Sequence, residues 1–359
     1  REKNLTTDME DHTQAFQLVK DALIDGEVGV IQSLSEVAAI GHRVVQGGSI
    51  FSKSVLITDD VLNGIESLNP LAPLHNPAHV QGIRACQDVF GTEVPQVAVF
   101  DTAFHSTMPP KSYTFAIPYE YYEKYAVRRY GFHGTSHKYV SHRCAEIMGK
   151  PIDKLKLITC HLGNGSSITA VQDGRVLDTT MGLTPLDGFM MGTRSGTLDP
   201  SVVTFIMEKE NLTPKEMDTI LNKKSGLLGV SGVSSDARDV AQAVVEGNPR
   251  AVLAQEMLVY QIVKYIGAFA AAMNGVDAIV FTAGLGENHV IVRQRVCESL
   301  KYLGVTPDIN LNEKMTRGNE GKITTENSTV DVYVIPTNEE LVIARDTRSI
   351  LEAMQYANL

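Results

Sequence analysis

Three short stretches of this chain set histidine, asparagine and arginine into glycine-rich turns: Tyr130-Gly-Phe-His-Gly-Thr-Ser-His137, Cys160-His-Leu-Gly-Asn-Gly-Ser-Ser167 and Met191-Gly-Thr-Arg-Ser-Gly196. Glycine lets a backbone run close to a bulky anion, and successive N–H groups in such turns form concave anion sites. Imidazole and guanidinium groups beside them add charge and directional donors. Residues of these types suit the handling of phosphate and carboxylate.

Joining a carboxylate to a nucleotide phosphate forces two anions together. The carboxylate, with a pKa of roughly 4, is already ionised and needs no general base. Catalysis then rests on positioning and on stabilising the equatorial oxygens of the migrating group. The parts required are arginines, a histidine donor, a magnesium ion with a carboxylate to hold it, and glycine turns for the diphosphate.

The chain offers each of them. Arg43, in Gly41-His-Arg-Val-Val-Gln-Gly-Gly48, and Arg194 both lie in glycine-flanked turns. At about 4 Å a charge pair there is worth roughly 4 kcal/mol for an effective dielectric near 20. Most arginines instead make exposed salt bridges of little value, and it is the glycine context that favours function for these two. His133 and His137 are four apart, a spacing that would also suit zinc on a helix face. The HExxH glutamate is missing and Gly134 weakens a helix, so donation to phosphoryl oxygens is the preferred reading. His142 reads as structural. His161 opens the Gly-Asn-Gly turn, where it serves nucleotide phosphates or bonds a carbonyl at a strand end. Asp101 and Glu339 each fall at a strand end, where a magnesium-bound water can be held; Glu339 also reads as an ordinary helix-start carboxylate. Gly284-Leu-Gly286 is a weak nucleotide signal. The absence of GxSxG and GxxxxGK[ST] patterns argues against a serine hydrolase and a P-loop enzyme.

The elements that must carry these residues alternate between strand and helix. Apolar patterning predicts strands over 94–100, 155–160, 278–282 and 330–335, and a hairpin from 168–171 through Gln172-Asp-Gly174 to 176–179. Helices are expected over 76–90, 251–273 and 338–353, and a further one after the Ser234-Ser235-Asp236 cap. Strands ending in polar, glycine-rich turns recur near Arg43, Asp101, Asn164, Gly284 and Asn338. Open parallel sheets bind ligands at such ends, and these five are expected to line one cleft.

At 359 residues the chain is long enough for two domains. A net charge of −10 argues against a broad nucleic-acid surface. Cys86, Cys144, Cys160 and Cys297 are scattered without a CxxC pair, which fits a reducing cytoplasm and no zinc knot. The most apolar stretch, 262–286, is broken by Lys264, Asn274-Gly275 and Asp277, so no membrane span is expected.

Taken together the motifs resemble the acetate kinase family, within the acetate and sugar kinase/heat-shock protein 70/actin superfamily. Besides the four turns above, the matching stretches are Ala72-Pro-Leu-His-Asn-Pro77, Phe100-Asp-Thr-Ala-Phe-His105, Phe281-Thr-Ala-Gly-Leu-Gly-Glu-Asn288 and Pro336-Thr-Asn-Glu-Glu340. They follow the family's order over nearly the whole chain. The resemblance implies an α/β fold of two actin-like, ribonuclease-H-like domains around a cleft, here 1–103 plus 341–359, and 104–340. It implies reversible MgATP-dependent phosphorylation of acetate to acetyl phosphate by in-line transfer, with manganese as a substitute metal, in a cytoplasmic homodimer. Arg43 and Arg194 would bind carboxyl and phosphoryl groups, and His133 would stabilise the latter. Asp101, indirectly, and Glu339 would position magnesium. His161, Leu162, Gly163, Asn164 and Gly165 would meet the phosphates of ATP or ADP. Asp236, Ala237, Arg238 and Gly284, Leu285, Gly286, Glu287 and Asn288 would surround the adenosine. Val45, Leu74, Phe132 and Pro185 would form a methyl pocket.

The family opens with an Asn-x-Gly-Ser-Ser-Ser turn and a nearby lysine, and nothing like it stands in this sequence. A true truncation there is expected to cost the first domain a core strand and most activity. The alternatives are the same chemistry on propionate or butyrate, and a non-catalytic actin-like nucleotide-binding protein. The second arginine and the His133 motif speak against the last, because a switch has no carboxylate to neutralise.

Overall fold

The computed structural model describes residues 12–73 and 75–357. They separate into two compact units, one of residues up to Ala103 together with those from Glu339 onward, the other Phe104–Asn338. Glu339 and Glu340 thus fall in the first unit, two residues ahead of the boundary expected from the sequence.

The first unit is built on a three-stranded sheet of β1 (Ile40–Val44), β2 (Val55–Leu56) and β3 (Gln96–Phe100) in the order β1-β3-β2. β1 runs parallel to β3, with Arg43 level with Val99 and Val44 with Phe100. Asp101 therefore follows directly at the same sheet end as Arg43. Val44, Ala98 and Phe100 bury one face with Leu62, Ile65, Val80 and Ile83 from the helices Asp59–Ser67 and Asn76–Phe90. Thr58 caps the first of these through a bond from the Val61 N–H. The helix Glu339–Ala357 packs on the same sheet, with Gly41 against Ile343 and Thr347 where a Cβ would collide.

The second unit has a six-stranded sheet in the order β6-β5-β4-β7-β9-β8. Its strands are β4 (Lys156–Leu162), β5 (Ser166–Gln172), β6 (Arg175–Thr179), β7 (Ala278–Thr282), β8 (Gly321–Lys322) and β9 (Asp331–Val334). β4, β7 and β9 are parallel, and β7 is buried on both faces, as its unbroken apolar run requires. The β5–β6 hairpin turns on Asp173 (φ 53°) and Gly174 (φ 75°), the positive pair of a type I′ turn.

Period-two alternation along β4 sorts its side chains. Ile158, Cys160 and Leu162 pack toward the long helix Pro249–Ala272, which contributes Leu258, Ile262 and Ile266. Asn248 caps that helix, and Asn274 and Gly275, both at positive φ, follow its end. Thr159 and His161 point the other way, toward the helix Gly134–Met148. That face is polar where it meets the histidines.

Two local expectations are corrected. His161 lies within β4 and not in the turn after it. Ala283–Asn288, read as a turn, is a short helix. Glu287 explains it: its Oε1 accepts from the N–H groups of Ala283 (2.9 Å) and Thr337 (3.1 Å), fixing the first turn.

Candidate active site

In the second unit the sheet face opposite the long helix holds a histidine cluster. His137 is fully buried, with Nδ1 2.7 Å from Thr159 Oγ1 and Nε2 2.8 Å from Ser167 Oγ. Burial pushes its pKa well below the usual histidine value, with His105 and His161 adding to the shift. Ser167 Oγ also lies 2.8 Å from His133 Nδ1. Both ring nitrogens of His137 are thus paired with hydroxyls, and Ser167 Oγ is shared between His137 and His133. Holding His133 Nδ1 on Ser167 turns its Nε2 toward Gly165, from whose Cβ position it would be 3.6 Å. His133 sits in a left-handed conformation (φ 58°) at the cap of its helix and stacks on His161, ring centroids 4.1 Å apart. Ser136 Oγ, which accepts from Thr337, bonds His161 Nδ1 at 2.8 Å. His137 is thereby saturated by hydroxyls, which removes the zinc reading.

Arg194 reaches the same place. A Cβ on Gly165 would lie 3.3 Å from its Nη1, so Arg194 and His133 converge over the Gly163-Asn164-Gly165 turn. Its Nη1 donates to the Pro185 carbonyl (3.0 Å). No carboxylate lies within salt-bridge reach of it among the described residues. Burial alone lowers its pKa from the ordinary arginine value. A desolvated guanidinium bonded to a carbonyl and lacking a counter-ion is prepared for an anion.

Beside the turn opens a cavity of about 940 Å³. Gly163, Asn164, Asp236, Ala237, Arg238, Gly284, Leu285 and Asn288, all expected from the sequence to meet the nucleotide, line it. Gly192 is there because the Asn164 side chain occupies the space a Cβ would take. The sequence reading missed the remaining wall, including Ser235, Gln242, Val245, His289, Val290 and Ile291. Val245 is 80% exposed and Ile291 55%, an apolar slot left open to solvent. The signal was available: Ala237, Ala241 and Val245 repeat every four residues along one helix face. Asp236 caps that helix and is held at about 2 by its bonds to Arg238.

Leu162, Gly286 and Glu287, expected at the nucleotide, are not among the residues lining the cavity. Leu162 is core. Gly286 is buried, its carbonyl accepting from Arg293 at 2.9 Å. Glu287 caps its own helix. Phe132 is buried at 1% exposure, while Pro185 supplies the carbonyl that holds Arg194.

In the first unit Arg43 is forked onto Asp101, with Nε–Oδ1 2.9 Å and Nη2–Oδ2 2.5 Å. Burial opposes the guanidinium charge, but Asp101 and then Glu339 outweigh it, and the Arg43 pKa is raised. Val45 is buried next to it; Leu74 lies outside the described residues. His79, in the same neighbourhood, is pushed down to about 4 by burial and then by Arg43.

Magnesium takes one or two carboxylates and keeps several waters. Asp101, both oxygens engaged by Arg43, and Glu339, in the first turn of its helix, fit water-mediated and direct roles respectively. Among the described residues no group of three or more His, Cys, Asp or Glu that could hold a metal ion occurs.

Two α/β units are described, and in the second a histidine and an arginine converge on a glycine turn that follows a strand. The pattern of the Acetokinase family matches residues 1–345. The acetate kinase of Halothermothrix orenii is 56% identical over 352 residues, 98% of this chain and 88% of the relative. That of Thermotoga maritima is 58% identical over 346 residues, 96% and 86% of the two. Among crystal structures, Porphyromonas gingivalis acetate kinase superposes with a TM-score of 0.92 at 50% identity, covering 96% of this chain and 86% of that one. A propionate kinase from Francisella tularensis gives 0.88 at 47%, covering 94% and 84%. The chain belongs to the Acetokinase family.

Proposed function

We propose that this chain catalyses the reversible transfer of the γ-phosphoryl group of ATP to acetate, giving acetyl phosphate and ADP. The observation that carries the proposal is Arg194, a half-buried guanidinium with no carboxylate partner among the described residues, set with His133 over a glycine turn beside a nucleotide-sized cavity.

In this reading an acetate oxygen attacks the γ-phosphorus in line as the bond to the β–γ bridging oxygen breaks. The electron pair leaves on ADP, and no proton has to be removed. Arg194 and His133 Nε2 hold the equatorial oxygens as charge spreads over them. Asn164 and the N–H groups of its turn meet the nucleotide phosphates. Arg43, oriented by Asp101, binds the carboxylate. Val45, Leu74, Phe132 and Pro185 meet the methyl group. Asp101 and Glu339 would hold magnesium, which when bound neutralises phosphate charge.

A pocket for a methyl group excludes one extra methylene by only about 1–3 kcal/mol, so propionate is expected to react more slowly. The family resemblance also supports a cytoplasmic homodimer. No described helix is long and apolar enough to cross a membrane. The test is trapping of acyl phosphate as hydroxamate from ATP, acetate and magnesium. Acetohydroxamate is expected, and its absence with folded protein would overturn the proposal.

A further inference from the structure

Arg129 has no part in the roles assigned above, yet it holds the segment that meets Arg194. Its Nη1 lies 3.0, 2.7 and 3.2 Å from the successive carbonyl oxygens of Thr179, Thr180 and Met181. The same nitrogen is 3.2 Å from Asp187 Oδ2. One guanidinium thus grips both feet of the loop between Met181 and Asp187. At the crest of that loop stands Pro185, whose carbonyl takes Nη1 of Arg194.

The grip extends beyond the loop. Asp187 Oδ1 accepts from Thr197 Oγ1 (2.6 Å), three residues past Arg194, and from the Gly188 N–H (2.9 Å). Tyr265 donates to the Gly188 carbonyl at 3.0 Å. The chain on each side of Arg194 is therefore referred back to Asp187, and Asp187 to Arg129. Asp178 also approaches the guanidinium, at 3.9 Å. Without that charge, two carboxylates and a row of carbonyl oxygens would face one another, and the loop would spread.

We propose that Arg129, acting through Asp187, is a positioning residue that sets the Arg194 guanidinium and the Pro185 wall, and so governs the transfer step rather than binding of the nucleotide. This deepens the kinase reading and rests on it. A lysine reproduces the grip only in part, because it carries its charge on a flexible stem and lacks the Nε group that faces Asp178.

The test is steady-state hydroxamate kinetics on Arg129→Met, Arg129→Lys and Asp187→Asn, with melting followed by circular dichroism. A guanidinium displaced by about 1 Å costs on the order of 100-fold, and a loss of that size is expected in kcat/KM for acetate with Arg129→Met. KM for ATP should stay within about twofold, since the nucleotide wall is untouched. Arg129→Lys should recover only part of the loss. In an Arg194→Ala background, Arg129→Met should add almost nothing, because the group it positions is gone. Should Arg129→Met not fold, Asp187→Asn decides, with a smaller loss in kcat and an unchanged KM for ATP expected. A loss that lies in KM for ATP rather than in kcat, or losses that add fully in the double variant, would overturn the proposal. Wild-type protein forming no acyl phosphate would count against the kinase reading itself. Active wild type with undisturbed clamp variants would count against the clamp alone.

Discussion

Arg43 and Arg194 carry the same mark in the sequence, an arginine among glycines, and the fold prepares them in opposite ways. Arg43 is neutralised at rest by a bidentate carboxylate, and its charge is reinforced. Arg194 is desolvated, bonded to a carbonyl, and its charge is disfavoured by burial. A paired guanidinium offers direction and geometry, with its residual donors aimed by the partner. An unpaired one offers net charge, which an arriving anion stabilises. For a reaction whose main obstacle is repulsion between two anions, the unpaired arginine should matter more to the rate and the paired one more to stability.

The largest effect should therefore come from Arg194→Ala. An arginine at a migrating phosphoryl group is worth about 10³–10⁵ in rate, and turnover by hydroxamate trapping should fall by that order while the melting temperature stays near wild type. Arg43→Ala should lower both. It leaves Asp101, whose side chain is 1% exposed, without its partner. Breaking a fully buried pair costs about 3–5 kcal/mol; with Arg43 itself 42% exposed, roughly 2 kcal/mol in urea unfolding is expected. Adding Asp101→Asn should restore stability and not turnover. A melting temperature unchanged in Arg43→Ala, or lowered in Arg194→Ala, would erase the contrast.

Smaller changes sharpen it. His133→Ala removes one transition-state donor, worth about 10²–10³ in kcat, with KM for ATP little changed. Gly165→Ala places a methyl 3.3 Å from Arg194 Nη1 and 3.6 Å from His133 Nε2. The flexible guanidinium must give way by a few tenths of an ångström, and a loss of about tenfold in turnover is expected. No loss would mean that the two groups do not converge where the reaction occurs.

The smallest effect is on stability against pH. His79 is held down at about 4 and His137 also lies well below the ordinary value of 6.5. The unfolded chain then binds more protons than the folded one between those values, so stability is fully present above about pH 6.5 and declines as pH falls toward 4. For the partly exposed His79 this amounts to on the order of 1–2 kcal/mol. His79→Gln should flatten that part of the urea midpoint profile, and an unaltered profile would contradict the assignment.

The two-domain α/β class was legible because strands such as Ala278–Thr282 and helices such as Asn76–Phe90 announce themselves by local pattern. The Gly163-Asn164-Gly165 turn was legible because an apolar strand stops where the glycines begin. What the sequence hid were contacts between distant positions. Arg43 and Asp101 are 58 residues apart, and His137 meets Ser167 across 30. Nothing in the local pattern of either residue told which arginine would be paired, or that His137 would be sealed by hydroxyls while His133 faced the site. Glu287 was hidden in the same way: its Oε1 accepts from the N–H of Thr337, 50 residues on, as well as from that of Ala283.

The unpaired charge of Arg194 is most directly tested by chemical rescue. Guanidinium at concentrations well below those that unfold the protein should raise hydroxamate formation by Arg194→Ala in a saturable way and leave wild type unaffected. Turnover by Arg194→Ala near the wild-type rate without guanidinium, or a folded variant whose lost turnover no guanidinium restores, would contradict a cation held in reserve for the substrate.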